Sequence, residues 1–422
     1  MGGLKSLRLV EFARESAHEP THEPDHEPHH ESVHAFARES AHEPTHEPDH
    51  EFVHESAHES VHESAHEPTH ESTHEFVNEF ANEQNFIDLF LSLPKELYAN
   101  DKNYRSEDTK EVINWLKRDH PCREFLFQKN LLVLEDEKIL ARGIAFVNKL
   151  GNFGAIGFFE CKNNAVALQI LVDSAKEFCR ANDISKIYAP MNGSIWNEYR
   201  LMTKGFGDYP FMGEPYNKVY YRDVLEKCGF KVVKTWESQF VDKISVKDKT
   251  AVKFLNLEKD QHSKGIKVRS MKKFDEDIKI IHKIVMNSFT NFFAFHEIDE
   301  EVFCNIYKDL KLICDKRTLK IAFNRQNEPI GFGLALPDYK NKTGFLLRYA
   351  KRYIFLYLGA WQENGESAYP HVGKAIVTPI MKNLYIRRKN YICAMLGEDV
   401  KTRKFAPAYE KVHEYALMEL EV

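Results

Sequence analysis

The chain has 422 residues, 43% of them hydrophobic and 12% aromatic, which is enough apolar material for two ordinary domains with real cores. Its formal net charge of −6 hides an asymmetry: residues 1–83 carry a net −16 and the remainder a net +10. No run of 18 apolar residues occurs, which argues against a membrane-spanning helix, and Met1 to Val10 lacks the apolar stretch and cleavage site of a signal peptide.

From about Glu15 to Glu83 the sequence repeats in fours as His-Glu-x-x, and Ala13–Glu27 recurs letter for letter at Ala37–Glu51. A helix would wind its histidine stripe around the axis, because four residues overshoot the 3.6-residue turn by about 40°. Glutamates four apart repel, and Pro20, Pro24, Pro28, Pro44, Pro48 and Pro68 break the amide ladder. Residues 1–83 are therefore expected to be a disordered low-complexity segment outside the fold. His22-Glu23-Pro24-Asp25-His26 matches the HExxH zinc pattern, but so do many frames of the repeat, and that chemistry needs one rigid helical turn and a third ligand. No specific metal site is expected. Fifteen of the 21 histidines lie in this stretch, so acid would cancel much of its negative charge.

The body then reads as alternating elements. Phe86–Leu97 is a short helix. Phe125–Leu134 and Lys138–Val147 are a hairpin around Glu135-Asp136-Glu137, Gly154–Glu160 is a strand, Ala165–Cys179 an amphipathic helix and Lys186–Ala189 a strand. Beyond about residue 263, Ile266–Ser270 starts a strand, and Asp275–Thr290 and Glu300–Asp315 read as helices. Thr318–Asn324 and Ile330–Ala335 form a second hairpin across Gln326-Asn327-Glu328, followed by a strand at Tyr353–Gly359. A helix from about Ile376 to Lys389, a strand at Tyr391–Leu396, a helix at Ala406–Val412 and a strand at Tyr415–Val422 complete the chain. This is a mixed α/β pattern. The seven cysteines, without a CxxC pair, fit free thiols in a reducing cytoplasm.

Two loops carry the candidate chemistry. Asn192 to Gly207 follows a strand end and is polar and glycine-rich, the kind of loop that holds sites on α/β folds. Asn192, Ser194, Asn197 and Glu198, with Tyr216 and Asn217, are candidates to line a polar substrate pocket; the competing reading is that they cap backbone ends at turns. The second loop, His371-Val372-Gly373-Lys374-Ala375-Ile376, opens a helix, where backbone N–H groups and a glycine favour an anion.

The run Ile156-Gly157-Phe158-Phe159-Glu160 resembles the GFFE signature of a family of tandem GNAT-like N-acetyltransferases. Ala189-Pro190-Met191-Asn192-Gly193-Ser194, Asn197-Glu198, Gly205-Phe206, Glu214-Pro215-Tyr216-Asn217, Tyr220-Tyr221 and Cys228-Gly229-Phe230 continue that resemblance in order. Gly331 to Asp338 is similar to the family's GFALALPD. The resemblance implies two tandem GNAT-like domains, each a mixed twisted sheet flanked by helices, at 84–262 and 263–422. It implies an acyltransferase that moves an acetyl or acyl group from acetyl-CoA or another acyl-CoA to a small-molecule amine.

It further implies that Leu358, Gly359 and Ala360 on a strand, with Val372, Gly373, Lys374, Ala375 and Ile376, contact the coenzyme. Tyr409 falls where the family's thiolate-protonating tyrosine would be. The loop departs from the family's Gln/Arg-x-x-Gly-x-Gly/Ala: Val372 stands at the Gln/Arg position, and Ala375 and Val377 at the small-residue positions. Those departures keep a second expectation open, a non-catalytic GNAT-fold protein that binds acyl-CoA or a small molecule. A third is a donor presented by acyl carrier protein or aminoacyl-tRNA. No basic stripe interleaved with aromatics points to nucleic acid as a partner. His296, Glu297 and Glu363 are candidate bases that nothing in the sequence ranks.

Overall fold

The computed structural model describes residues 7–12, 83–242, 265–339, 350–398, 409 and 411–422. The repeat lies outside them, and with it the expectations for its order, metal binding and charge.

The first half begins with strand β1 (Leu7–Phe12), helix α1 (Glu83–Leu97) and helix α2 (Thr109–Leu116). Strands β2 (Leu126–Glu135), β3 (Lys138–Asn148) and β4 (Phe153–Cys161) lead into helix α3 (Ala165–Arg180) and strand β5 (Lys186–Ala189). Strand β6 (Leu201–Lys204), helix α4 (Tyr221–Lys227) and strand β7 (Lys231–Val241) follow.

The second half repeats the scheme. It has β8 (Lys267–Ser270), α5 (Phe274–Ser288), the short helices α6 (Glu300–Tyr307) and α7 (Leu310–Ile313), then β9 (Leu319–Phe323), β10 (Pro329–Pro337) and β11 (Arg352–Ala360). A small hairpin, β12 (Gln362–Glu363) and β13 (Glu366–Ser367), precedes α8 (Val372–Ile386), β14 (Asn390–Gly397) and β15 (Lys411–Glu421).

Local chemistry sets these elements. The β2–β3 hairpin turns at Asp136 and the β9–β10 hairpin at Asn327, both at positive φ, where Asp and Asn are tolerated. Asp108 caps α2 by accepting from the Lys110 and Glu111 amides at 2.9 and 3.3 Å. Asn164 caps α3 by accepting from the Val166 and Ala167 amides, each at 3.1 Å. Along α3, Leu168, Leu171, Val172, Ala175 and Cys179 recur at helical spacing and are fully buried.

The sheet runs β1-β2-β3-β4-β5-β15-β7-β14-β11-β10-β9-β8, with β6 also paired to β15. In each half a hairpin and a third antiparallel strand lead through a helix to a parallel partner: β4 with β5, and β11 with β14. The strand that would close each half is exchanged. β7 lies antiparallel against β14, and β15 returns from the C-terminus to lie between β5 and β7. The sheet is thereby continuous across both halves.

One face carries separate cores under α3 and under α8. The other face carries one core shared by both halves, from Phe86 and Trp115 through Trp196 to Ile278, Phe303 and Phe332.

The architecture is the expected mixed α/β one, with corrections at its edges. Leu7–Phe12, expected to belong to the disordered segment, is an edge strand paired in register from Leu7↔Glu135 to Phe12↔Asn130. Its alternation is short and isolated from any other strand signal. Glu300–Asp315 breaks into two short helices. The helix expected at Ala406–Val412 yields to β15 from Lys411, while residues 401–408 lie outside the described ones. All seven cysteines are free thiols, and no helix among the described residues is long and apolar enough to cross a membrane.

Candidate active site

The parallel strands separate at corresponding points. β4 and β5 pair only at Gly154↔Ile187 and Ala155↔Tyr188, and β11 and β14 pair from Arg352↔Asn390 to Phe355↔Cys393. Just beyond, both outer strands are bulged. The β3–β4 register shifts between Arg142 and Ile144 with Phe158 at φ 48, and the β10–β11 register skips Leu356. A bulge leaves its extra residue outside the hydrogen-bond ladder and bends the strand. Both bent ends open into a cavity of about 800 Å³ between the halves.

Its wall is aromatic and aliphatic: Trp115, Phe158, Trp196, Phe292, Phe303, Tyr307, Leu356 and Tyr357 among others. Set into it are Glu107, Glu111, Glu160, Glu198, Arg105 and Arg200. A mostly apolar cavity with a few charged groups is the usual build of a small-molecule site.

Two of these carboxylates are already engaged. Arg142, fully buried, is held by both oxygens of Glu107 at 2.6 Å and donates to the Phe90 carbonyl at 2.8 Å. Glu160, from the GFFE run, accepts from Tyr98 at 3.2 Å and from Tyr221. Burial raises its pKa to about 7 against the pull of Arg142.

Glu198 differs. No hydrogen-bond or ion-pair partner for its carboxylate stands among the described residues, and the residue is solvent-accessible where it lines the cavity. Burial, then the charges of Glu111 and Glu107, raise its pKa to about 7, while Arg105 opposes them.

The other polar residues expected to meet substrate hold backbone instead. Asn192 accepts from the Phe158 amide at 2.8 Å, and Asn197 donates to the Asn192 carbonyl at 2.9 Å. Ser194 is buried against Nε2 of His296 at 3.2 Å and accepts from the Trp196 amide. Asn217 accepts from the Met202 amide and donates to the Met202 and Lys218 carbonyls. Tyr216 donates to Asp101 at 3.0 Å. Asn192, Asn197, Tyr216 and Asn217 also border the cavity, whereas Ser194 does not. Gly157 completes this arrangement: a Cβ there would lie 2.5 Å from the Met191 carbonyl and 2.6 Å from Asn192.

Of the residues expected to contact coenzyme, Leu358 lines the cavity, and Gly359 and Ala360 continue β11 away from its wall. Val372, Ala375 and Ile376 are buried in the core under α8. The Val372 and Ala375 amides are bonded to the Tyr369 and His371 carbonyls. The amides of Gly373 and Lys374 have no backbone acceptor among the described residues, and a Cβ on Gly373 would meet only Leu358, at 3.7 Å. Tyr409 is half-exposed and does not line the cavity; the tyrosines that do so from the second half include Tyr307 and Tyr357.

His296 is buried among Ser194, Asn148 and the Ala294 carbonyl, and burial lowers its pKa. Tyr199 and Arg200 follow Glu198 in the candidate loop but went unsingled, and Tyr307 and Tyr357 join them only through the fold.

The fold and site define a two-half mixed α/β protein with a splayed, bulged strand pair at a cavity between the halves. Similar solved structures include a tandem GNAT protein from the clavulanic acid biosynthesis pathway (9% identity, 81% of this chain and 96% of that one, TM-score 0.46). They also include a GCN5-related glucosamine N-acetyltransferase region of a fungal multi-domain β-N-acetylglucosaminidase (13%, 81% of this chain and 37% of that one, 0.47). A third is a GCN5-related N-acetyltransferase from Sphaerobacter thermophilus (13%, 79% and 91%, 0.43). No family model and no curated protein matches the sequence.

Proposed function

We propose that the chain transfers an acyl group from an acyl-CoA thioester to an amine bound in the cavity. The observation that carries this reading is the parting of β11 and β14 beyond Phe355↔Cys393 into the cavity that also holds the uncommitted Glu198. A thioester lying along the bulged stretch at Leu356 would present its carbonyl to the amine. Glu198 takes the amine proton as the C–N bond forms and the C–S bond breaks. The thiol has a pKa near 8.5 and leaves readily as thiolate; Tyr357, rather than Tyr409, faces the cavity to donate a proton to it. Most of the rate would come from holding the two substrates in contact in a dry site.

The coenzyme diphosphate would be held at the start of α8 by the Gly373 and Lys374 amides and the exposed Lys374 ammonium, in a place where Gly373 leaves open room. Titration of the protein with acetyl-CoA, followed by thiol release in the presence of an amine panel, tests the reading. Saturable binding with amine-dependent thiol release supports it. Absence of binding ends it, and binding without release leaves a non-catalytic acyl-CoA binder.

A further inference from the structure

Arg200 is a guanidinium without a counter-charge. Its Nη2 donates to the Tyr199 hydroxyl and its Nη1 to Sδ of Met395 at 3.1 Å, and its Nε has no partner. Its plane lies over the rings of Tyr199 and Trp236, with Cζ at 3.8 and 4.4 Å from their centroids. Burial lowers its pKa, the groups that oppose this are the phenols Tyr199, Tyr357 and Tyr415, and no carboxylate forms a salt bridge to it among the described residues. Its backbone sits at φ 96, in the left-handed region that costs an arginine energy. A buried guanidinium normally has a carboxylate beside it, because an uncompensated buried charge is costly.

Glu198, two residues away on the same stretch, opens to the same cavity and also lacks a partner. The lining of that cavity is rich in aromatic rings, Trp196, Phe292 and Phe303 among them.

We propose that the acceptor of this cavity is an amino carboxylate, its carboxylate received by Arg200 and its amine by Glu198, with an apolar side chain on the aromatic wall. This rests on the acyl-transfer reading for the amine's fate, but the recognition of the carboxylate stands by itself. The remaining N–H donors of Arg200 suit a carboxylate fork. The opposite signs of the two residues fix the acceptor's direction, so that its nitrogen meets the thioester.

The test uses the full chain without acyl-CoA. The proteinogenic amino acids are titrated by calorimetry alongside decarboxylated twins: phenethylamine for phenylalanine, 3-methylbutylamine for leucine, tryptamine for tryptophan. At least one apolar amino acid is expected to bind at least tenfold more tightly than its twin. R200Q is expected to erase that ratio and R200K to keep part of it. Twins that bind as well as their amino acids, an unchanged ratio in R200Q, or no amino-acid binding at all overturn the proposal. The comparison on the unmodified protein needs no variant to fold. Thiol release from acetyl-CoA is scored separately. Amino-acid binding without release sinks the transferase reading alone, and release with simple amines only sinks this one alone.

Discussion

Nδ1 of His413, on the C-terminal strand, lies 2.7 Å from Oε1 of Glu214, in the loop that closes the cavity. Its Nε2 lies 3.0 Å from Asp208, which Lys411 also holds at 2.8 Å, and Tyr415 donates to the same Glu214 oxygen. The ring packs over Gly205 at φ 117, where a Cβ would come within 2.5 Å of it. The exchanged strand is thus pinned to the loop by an imidazole set between two carboxylates, and the sequence gives no hint of a meeting between residues about 200 apart.

The two carboxylates raise the His413 pKa above its usual 6.5, although burial opposes them. A histidine whose pKa is higher folded than unfolded stabilises fully below the unfolded value and loses that contribution as pH rises through the folded one. The melting temperature is therefore expected to fall more steeply in the native protein than in H413Q as pH rises above the ordinary histidine value of about 6.5. At pH 6, H413Q is expected to be about 2 kcal/mol less stable, since it leaves Glu214 buried without its charge partner. Equal pH slopes in thermal melts of the two proteins would refute the clamp.

Glu198 sets a second pH dependence of opposite sense. It accepts a proton only as carboxylate, and its pKa is raised to about 7. Thiol release is therefore expected to rise with pH through about 7 and then level. E198Q is expected to lower kcat by about 100-fold or more, the usual worth of a positioned base, and to flatten that rise. A kcat/KM profile measured from pH 5.5 to 9 decides it; an E198Q profile that keeps the same inflection moves the base elsewhere.

The legible parts of the sequence were those in which a local pattern suffices. Both hairpins, the strand at Gly154–Glu160 and the helix at Ala165–Cys179 follow from period and turn residues, and they fall where the structure has them. Glu198 was legible as a site candidate, but it stood beside Asn192, Asn197 and Asn217, and composition cannot separate an amide that ties down backbone from one that meets a ligand. Arg200 was invisible because its significance is a missing partner, which only coordinates reveal. The strand exchange was invisible for a similar reason: β15 reads as an ordinary strand, β7 was not read as one at all, and nothing in either one names its neighbour.

The close approach at Gly157 gives a prediction on the loop that carries Glu198. A methyl at residue 157 has to displace the Met191 carbonyl and Asn192, which are backbone and a short side chain with little slack. G157A is expected to destabilise by about 1–3 kcal/mol, the usual cost of overpacking. It is also expected to depress turnover beyond that loss, because Asn192 accepts from the Phe158 amide and its own amide donates to the Glu198 carbonyl at 2.8 Å. Denaturant unfolding with kcat measured on the folded fraction checks both; unchanged stability would mean that the loop shifts freely.

The described residues on either side of the repeat lie close together. The rings of Phe12, at the end of β1, and Phe86, in α1, lie 5.6 Å apart, so β1 ends close to where α1 begins. Closure of a loop costs only about 0.6 kcal/mol for each doubling of its length, so a long insertion here weighs little on stability. Replacing residues 15–73 with a short Gly-Ser linker is expected to leave the melting temperature and acetyl-CoA affinity within error, or to raise the former slightly. Deleting residues 1–73 instead removes β1, uncovers the β2 edge and strips Leu9 and Val10 from the core; it is expected to cost several kcal/mol. The two deletions differ only in whether Leu7–Phe12 stays. If both melt like the full chain, β1 contributes nothing to the sheet; if both melt equally far below it, residues 15–73 themselves support the fold.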